Sequence, residues 1–281
     1  MSKSGKQKHL LLMYGTVFLM VLVPYLFWKG VWFGSPLTDN EIEGILHDAD
    51  KPRRIQHALV QISDRMSRGE SVQRWYPEIE RLSEGSVPEV RALAAWLMGQ
   101  DNECSSFHLR LTSLVKDADP LVRRNSALAL VCFGDSQGKP EIMSMLRPYL
   151  LIAPQDGRIS FQVREGERVN TGTLVARIQT RPDRTLDVHS PMPGFFSAAG
   201  VHNRNSVIPG ELIALISPSE PQVWEALRAL FVVGEPEDLS EIERFAGMMP
   251  QMSERVRQQA VLTTKIIEER SKLPGTPLQS Q

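Results

Sequence analysis

Asp183, Asp187 and His189 form the close acidic and imidazole group of the strand-patterned middle of the chain. On a β-strand Asp187 and His189 would share one face, where a carboxylate and an imidazole can hold or move a proton. A salt-bridged or solvated hairpin explains the same residues equally well. The other histidines that could ligate, His47, His57 and His108, fall on separate predicted helices without the spacing of metal ligands. Cys104 and Cys132 sit in apolar helical patterns and are expected to be buried thiols; a disulfide between them cannot be read from sequence. There is no metal motif, phosphate loop or nucleophile elbow. The expectation is a protein that is not an enzyme, with no catalytic residue, metal ligand or cofactor.

The elements that would position any site follow from composition and period. The 281 residues are enough for about two domains. A net charge of -1 offers no field for nucleic acid. Leu10–Trp28 is an uncharged run long enough to span a bilayer as a helix, preceded by Lys3, Lys6 and Lys8 and followed by Trp32. That pattern predicts an uncleaved single-pass anchor over residues 1–34, with a cytoplasmic N-terminus and an extracytoplasmic, periplasmic bulk. Residues 271–281 have the composition of a disordered tail.

From about residue 35 the period becomes helical. In Pro88–Gly99, PEVRALAAWLMG, Val90, Leu93, Ala94 and Leu97 share one helix face, and Pro88 suits the first turn. The pattern returns at Pro120–Leu130 and Pro221–Phe231, and more weakly at Glu254–Leu262 and Lys51. Val90 to Val122 and Val223 to Val256 are each about 32–33 residues apart, the period of helix-pair solenoids. The gap from Val122 to Val223 is one period plus about 68 residues, so an insertion separates two consecutive repeats. These units resemble HEAT repeats, on Pro88, Val90 and Arg91 and on Pro120, Val122 and Arg123, the latter preceded by Asp117 and Asp119. The resemblance implies stacked helix pairs over 35–150 and 219–270, with second helices near Phe107–Val115, Lys139–Leu150 and Leu239–Phe245, and a protein-binding surface.

Residues 151–218 change to short-strand patterning and repeat internally. Pro154–Gly157 returns as Pro191–Gly194, and Val169, Gly172 and Leu174 return as Val207, Gly210 and Leu212, at an offset of about 37–38 residues. This is similar to the biotinyl/lipoyl-like domain, a sandwich of two interlocked halves. Gly157, Gly166, Gly172, Gly194 and Gly210 are its expected turns. In the second half His202-Asn203-Arg204-Asn205 replaces one glycine turn, and an Asn is expected to take positive φ there. Members that carry biotin or lipoate attach it to a lysine on the hairpin between halves. Here that hairpin, Gln179–Val188, holds Arg181 and Arg184, and no lysine occurs from Leu151 to Pro218. A guanidinium stays protonated and is a poor acyl acceptor, so no covalent carrier is expected.

The fold class expected is therefore a multidomain α+β chain: an N-terminal membrane helix, then a HEAT-like α-solenoid interrupted by an all-β lipoyl-like sandwich of two half-motifs. The expected function is a membrane-anchored scaffold that binds protein partners without catalysing a reaction and can form homo-oligomers. Candidate contacts are Arg181, Arg184, Phe195, Phe196, His202 and Arg204, although strand alternation favours one of the two Phe rings facing the core. The competing expectation is an adaptor-like subunit of an export or efflux system, as in membrane fusion proteins. Those usually join the two halves by a long helical hairpin, which this chain lacks.

Overall fold

The computed structural model describes residues 36–48, 51–247 and 252–272. The chain divides into two compact units, Met1–Asp48 and Ala49–Gln281. In the first, α1 (Asp39–His47) opens on a capping box: Glu41 N–H donates to Thr38 Oγ1 at 3.4 Å, and Thr38 N–H donates to Glu41 Oε2 at 2.7 Å.

In the second unit the helices are α2 (Pro52–Ser67), α3 (Tyr76–Leu82), α4 (Pro88–Met98), α5 (Ser105–Leu114), α6 (Pro120–Cys132) and α7 (Lys139–Ser144). After a run of strands come α8 (Glu220–Val233), α9 (Leu239–Glu243) and α10 (Glu254–Lys272). Helices α2, α4, α6, α8 and α10 contact one another in that order as one layer, and α3, α5, α7 and α9 pack behind it. Each of α4, α6 and α8 starts with a proline in its first turn, where the missing N–H leaves no bond unmade. Asp119 also caps α6, accepting from Leu121 N–H at 2.8 Å, worth about 1 kcal/mol. Val90, Val122, Val223 and Val256 are all buried on the packed face. Arg91 bridges successive helix pairs through two 2.8 Å bonds to Asp117. That contact holds the Asp117 carboxyl below the usual carboxylate range.

The layer continues across the strands. Ala127, Ile142 and Leu146 share one core with Val223, Leu227 and Leu230. Gln222 Nε2 donates to the Met145 carbonyl at 2.8 Å, and Lys139 meets Asp238 at 3.3 Å.

The strands are β1 (Tyr149–Ile152), β2 (Gly157–Phe161), β3 (Arg168–Val169), β4 (Leu174–Arg181), β5 (Arg184–His189), β6 (Gly194–Ala198), β7 (Ser206–Val207) and β8 (Leu212–Pro218). They form two four-stranded antiparallel sheets, ordered β1-β8-β6-β3 and β5-β4-β2-β7. Exchanging β1–β4 for β5–β8 turns one order into the other, so the two halves are related by an internal pseudo-twofold. Between the sheets lies a single core, with Val169, Phe196, Ile213 and Ile216 from one and Ile159, Val175, Ile178 and Val207 from the other.

The membrane part of the expected fold class is corrected. Among the described residues no helix is long and apolar enough to cross a membrane. The one helix of sufficient length, α10, carries Glu254, Arg255, Arg257, Lys265, Glu268, Glu269, Arg270 and Lys272, too much charge for a bilayer. The described chain is a mixture of helix and two antiparallel sheets. Leu10–Trp28, on which the anchor rested, lies outside the described residues, as does most of the 271–281 tail. The membrane, transmembrane-helix and periplasmic assignments and the single-pass orientation are withdrawn with it.

Candidate functional site

One residue position recurs along an open groove of the second unit. Six residues after each repeated valine stand Trp96, Leu128, Ala229 and Leu262. All four line a groove of about 570 Å³ over α4, α6, α8 and α10, with Ala229 itself buried. Trp96 is 46% exposed and Leu262 50%, with Val232 of α8 at 46% between them. These side chains give the groove an apolar rim open to solvent. The polar groups here are few. Arg228 and Glu225 form a loose pair at 3.7 Å, and Asn125 is turned back to donate to the Ala92 carbonyl at 2.8 Å. Cys132 borders the groove; desolvation by the apolar walls pushes its thiol up, and Arg228 opposes the shift. It is exposed and Cys104 is half-buried, both as free thiols, so neither is the buried thiol expected. The sequence signal for the groove was an aromatic residue off the Val90–Leu97 face, read only as part of a helix.

In the β-module the expected turn residues act in two ways. At Gly157 and Gly194 the neighbouring strand comes too close for a side chain. An added Cβ would lie 2.5 Å from the Gln179 carbonyl oxygen at the first and 2.3 Å from that of Ser217 at the second. Gly166, Gly172 and Gly210 have φ of 74°, 79° and 83°. The residue matching Gly166 in the second half is Arg204, with φ 72°. It is Arg204, then, and neither neighbouring Asn, that takes the left-handed conformation, at a cost of about 1–2 kcal/mol. The turn is held by bonds that copy those of the first half. Gly166 N–H donates to Phe196 O at 2.9 Å, and Arg204 N–H to Ile159 O at 2.7 Å. Ala198 N–H donates to Glu165 Oε2 at 2.9 Å, and Phe161 N–H to Asn203 Oδ1 at 2.6 Å.

The candidate contact residues are not brought together. Arg181 and Arg184 are exposed and face each other at the tip of the β4–β5 hairpin. His202 and Arg204 are exposed beside β2, in the turn that leads to β7 at the opposite edge of that sheet. Phe196 is 2% exposed and packs edge-on against Phe161 at 5.3 Å, while Phe195 is half-buried. Asp187 pairs with Arg177 at 3.1 Å across β4–β5. His189 lies opposite Leu174, and Asp183 is in the hairpin turn. No group of three or more His, Cys, Asp or Glu among the described residues is placed to hold a metal.

Sequence reasoning also missed Arg124. It is 6% exposed, where α6 meets the module, and donates to Met192 Sδ at 3.0 Å and Glu141 Oε1 at 3.4 Å. Burial lowers its pKa, and Glu141 opposes the shift. Beside it Leu121 of α6 packs on the module core. No protein-family model matches the chain, and no curated protein matches it.

Proposed function

We propose that the protein is an interaction scaffold without catalytic activity. In this reading its HEAT-like helical layer holds an amphipathic helix of a protein partner, and its lipoyl-like module, having no acceptor lysine, serves as an unmodified docking unit. The observation that carries the reading is the groove over α4, α6, α8 and α10, with Trp96, Val232 and Leu262 open to solvent. A groove between neighbouring helices with apolar walls and few charges fits the apolar face of a helix. Two features lend support to the HEAT-like part: the Arg91–Asp117 bridge between successive pairs, and the shared position of Trp96, Leu128, Ala229 and Leu262.

The test is site-specific photo-crosslinking. A photoreactive residue at position 96 or 262 of the full-length chain, expressed in its native cell, is expected to capture one dominant protein through a helical segment. Trp96→Ala combined with Leu262→Ser is expected to lower its recovery at least about tenfold, as for a buried aromatic anchor. Capture of a transporter subunit would instead favour the adaptor reading. Recovery unchanged by the double substitution would remove the groove from the function.

A further inference from the structure

The pseudo-twofold sets two loops of the module in equivalent places, Pro154–Gly157 leading into β2 and Pro191–Gly194 leading into β6. In the first, Pro154, Gln155 and Asp156 are all exposed. In the second, Met192 stands in the place of Gln155 and is 1% exposed, between the half-buried Pro191 and Pro193. Each proline ring fixes its own φ, and Ser190 Oγ donates to the Met192 carbonyl at 2.6 Å. Met192 is therefore held on a stiff loop, and its sulfur accepts from Arg124 Nη1 of α6 at 3.0 Å.

The joint around this contact is thin. The helical core around α6–α10 and the core of the module share no residue. The chain crosses between them at β1 and β8, which lie side by side, so the two crossings make one point of attachment. Leu121 and Arg124 of α6 make a second. Apolar packing such as that of Leu121 is non-directional. Arg124 is directional: Nε faces Glu141 of α7 at 3.4 Å while Nη1 faces Met192, and a planar guanidinium holds its donors at set angles. One group thus ties α6, α7 and the module loop together. Its bonds are weak ones, because a thioether is a poor acceptor and the Glu141 bond is long. A buried arginine with such partners adds little net stability, since leaving water costs about what the bonds return. Its effect falls on which arrangement forms.

We propose that Arg124 is a positioning residue that locks the module in one orientation on the helical layer. Without it the module pivots about the β1 and β8 crossings while both cores stay folded. The helical groove and the exposed loops of the module are then no longer held at one distance. The lock does not depend on what the groove holds.

The experiment is double electron–electron resonance on the full-length chain carrying Cys104→Ser and Cys132→Ser. Spin labels are placed at Leu109→Cys in α5 and Thr185→Cys in β5, both exposed positions. A single narrow distance is expected. Arg124→Met removes the donors at similar side-chain length. It is expected to roughly double the width of that distribution, with the urea midpoint unchanged or raised. Arg124→Lys is expected to broaden it as well, because one ammonium does not reproduce the planar fork. A second label pair, Leu109→Cys with Gln258→Cys, lies within the helical layer and is expected to keep its width. Met192→Leu removes the sulfur acceptor at nearly constant volume and is expected to give a smaller broadening. It decides the matter if Arg124→Met loses its native circular dichroism. An unchanged narrow distribution in the deciding variant overturns the proposal and leaves the orientation to packing alone. A broad distribution in the parent chain overturns it too, as does equal broadening of the second label pair, which would be a general loosening of the fold.

Discussion

The two halves of the β-module meet the same backbone requirements with different side chains. Gly157 and Gly194 both lie under a carbonyl that excludes a Cβ. Gly166 and Arg204 make the same turn, with φ of 74° and 72°. On the outer face the halves part, with Arg177 and Asp187 on one and Leu215 and Leu150 on the other. Where the backbone of one half must fit against the other, the residue types repeat. Where the surface faces outward, each half has its own chemistry. One departure in the shared frame, Arg204, lies in an exposed turn, where a left-handed arginine costs little enough to be tolerated.

Three pairs of substitutions test that division, from the largest expected effect to the smallest. Gly157→Ala and Gly194→Ala are each expected to destabilise the module by about 3 kcal/mol or more, because backbone must move to admit the methyl. Urea unfolding followed by circular dichroism checks this, and the loss at Gly157, whose φ is 154°, is expected to be at least as large as that at Gly194. A harmless alanine at either would break the equivalence. Arg204→Gly is expected to stabilise by up to ~1 kcal/mol, the relief of the left-handed penalty less the added freedom of the unfolded chain. Gly166→Ala should destabilise by a similar amount, and opposite shifts of the unfolding midpoint would sharpen the comparison. Arg177→Leu with Asp187→Leu removes an exposed ion pair, 50% and 44% accessible, and is expected to change stability by less than about 0.5 kcal/mol.

Periodicity was the legible part of the sequence. Val90, Val122, Val223 and Val256 can be read as a repeated helical position and are buried. The glycines recurring about 37–38 residues apart mark turns and close approaches, because few other residues satisfy them. Side-chain direction and tertiary setting were not legible. Phe195 and Phe196 are adjacent, and strand alternation shows that they diverge without saying which ring enters the core. Arg124 reads as one of two arginines on a helix until the inserted module is folded against it. Trp96 is one apolar residue among many in its helix, and only the neighbouring helices show that it faces a groove. Hydropathy over Leu10–Trp28 suggested a membrane helix, and no described helix bears that out.

The module leaves and rejoins the helical layer through β1 and β8, which are paired side by side, Tyr149 opposite Ile216. About seventy residues are thereby reduced to a connection whose two ends are already together. Closing an unstructured loop of that length between α7 and α8 would cost about 2–3 kcal/mol more in chain entropy than closing one of a few residues. Once folded, the module removes most of that difference. The insertion then acts as a short linker, and the order of folding events matters: a module that folds early lets α8 find α6 and α7 as quickly as an adjacent repeat would.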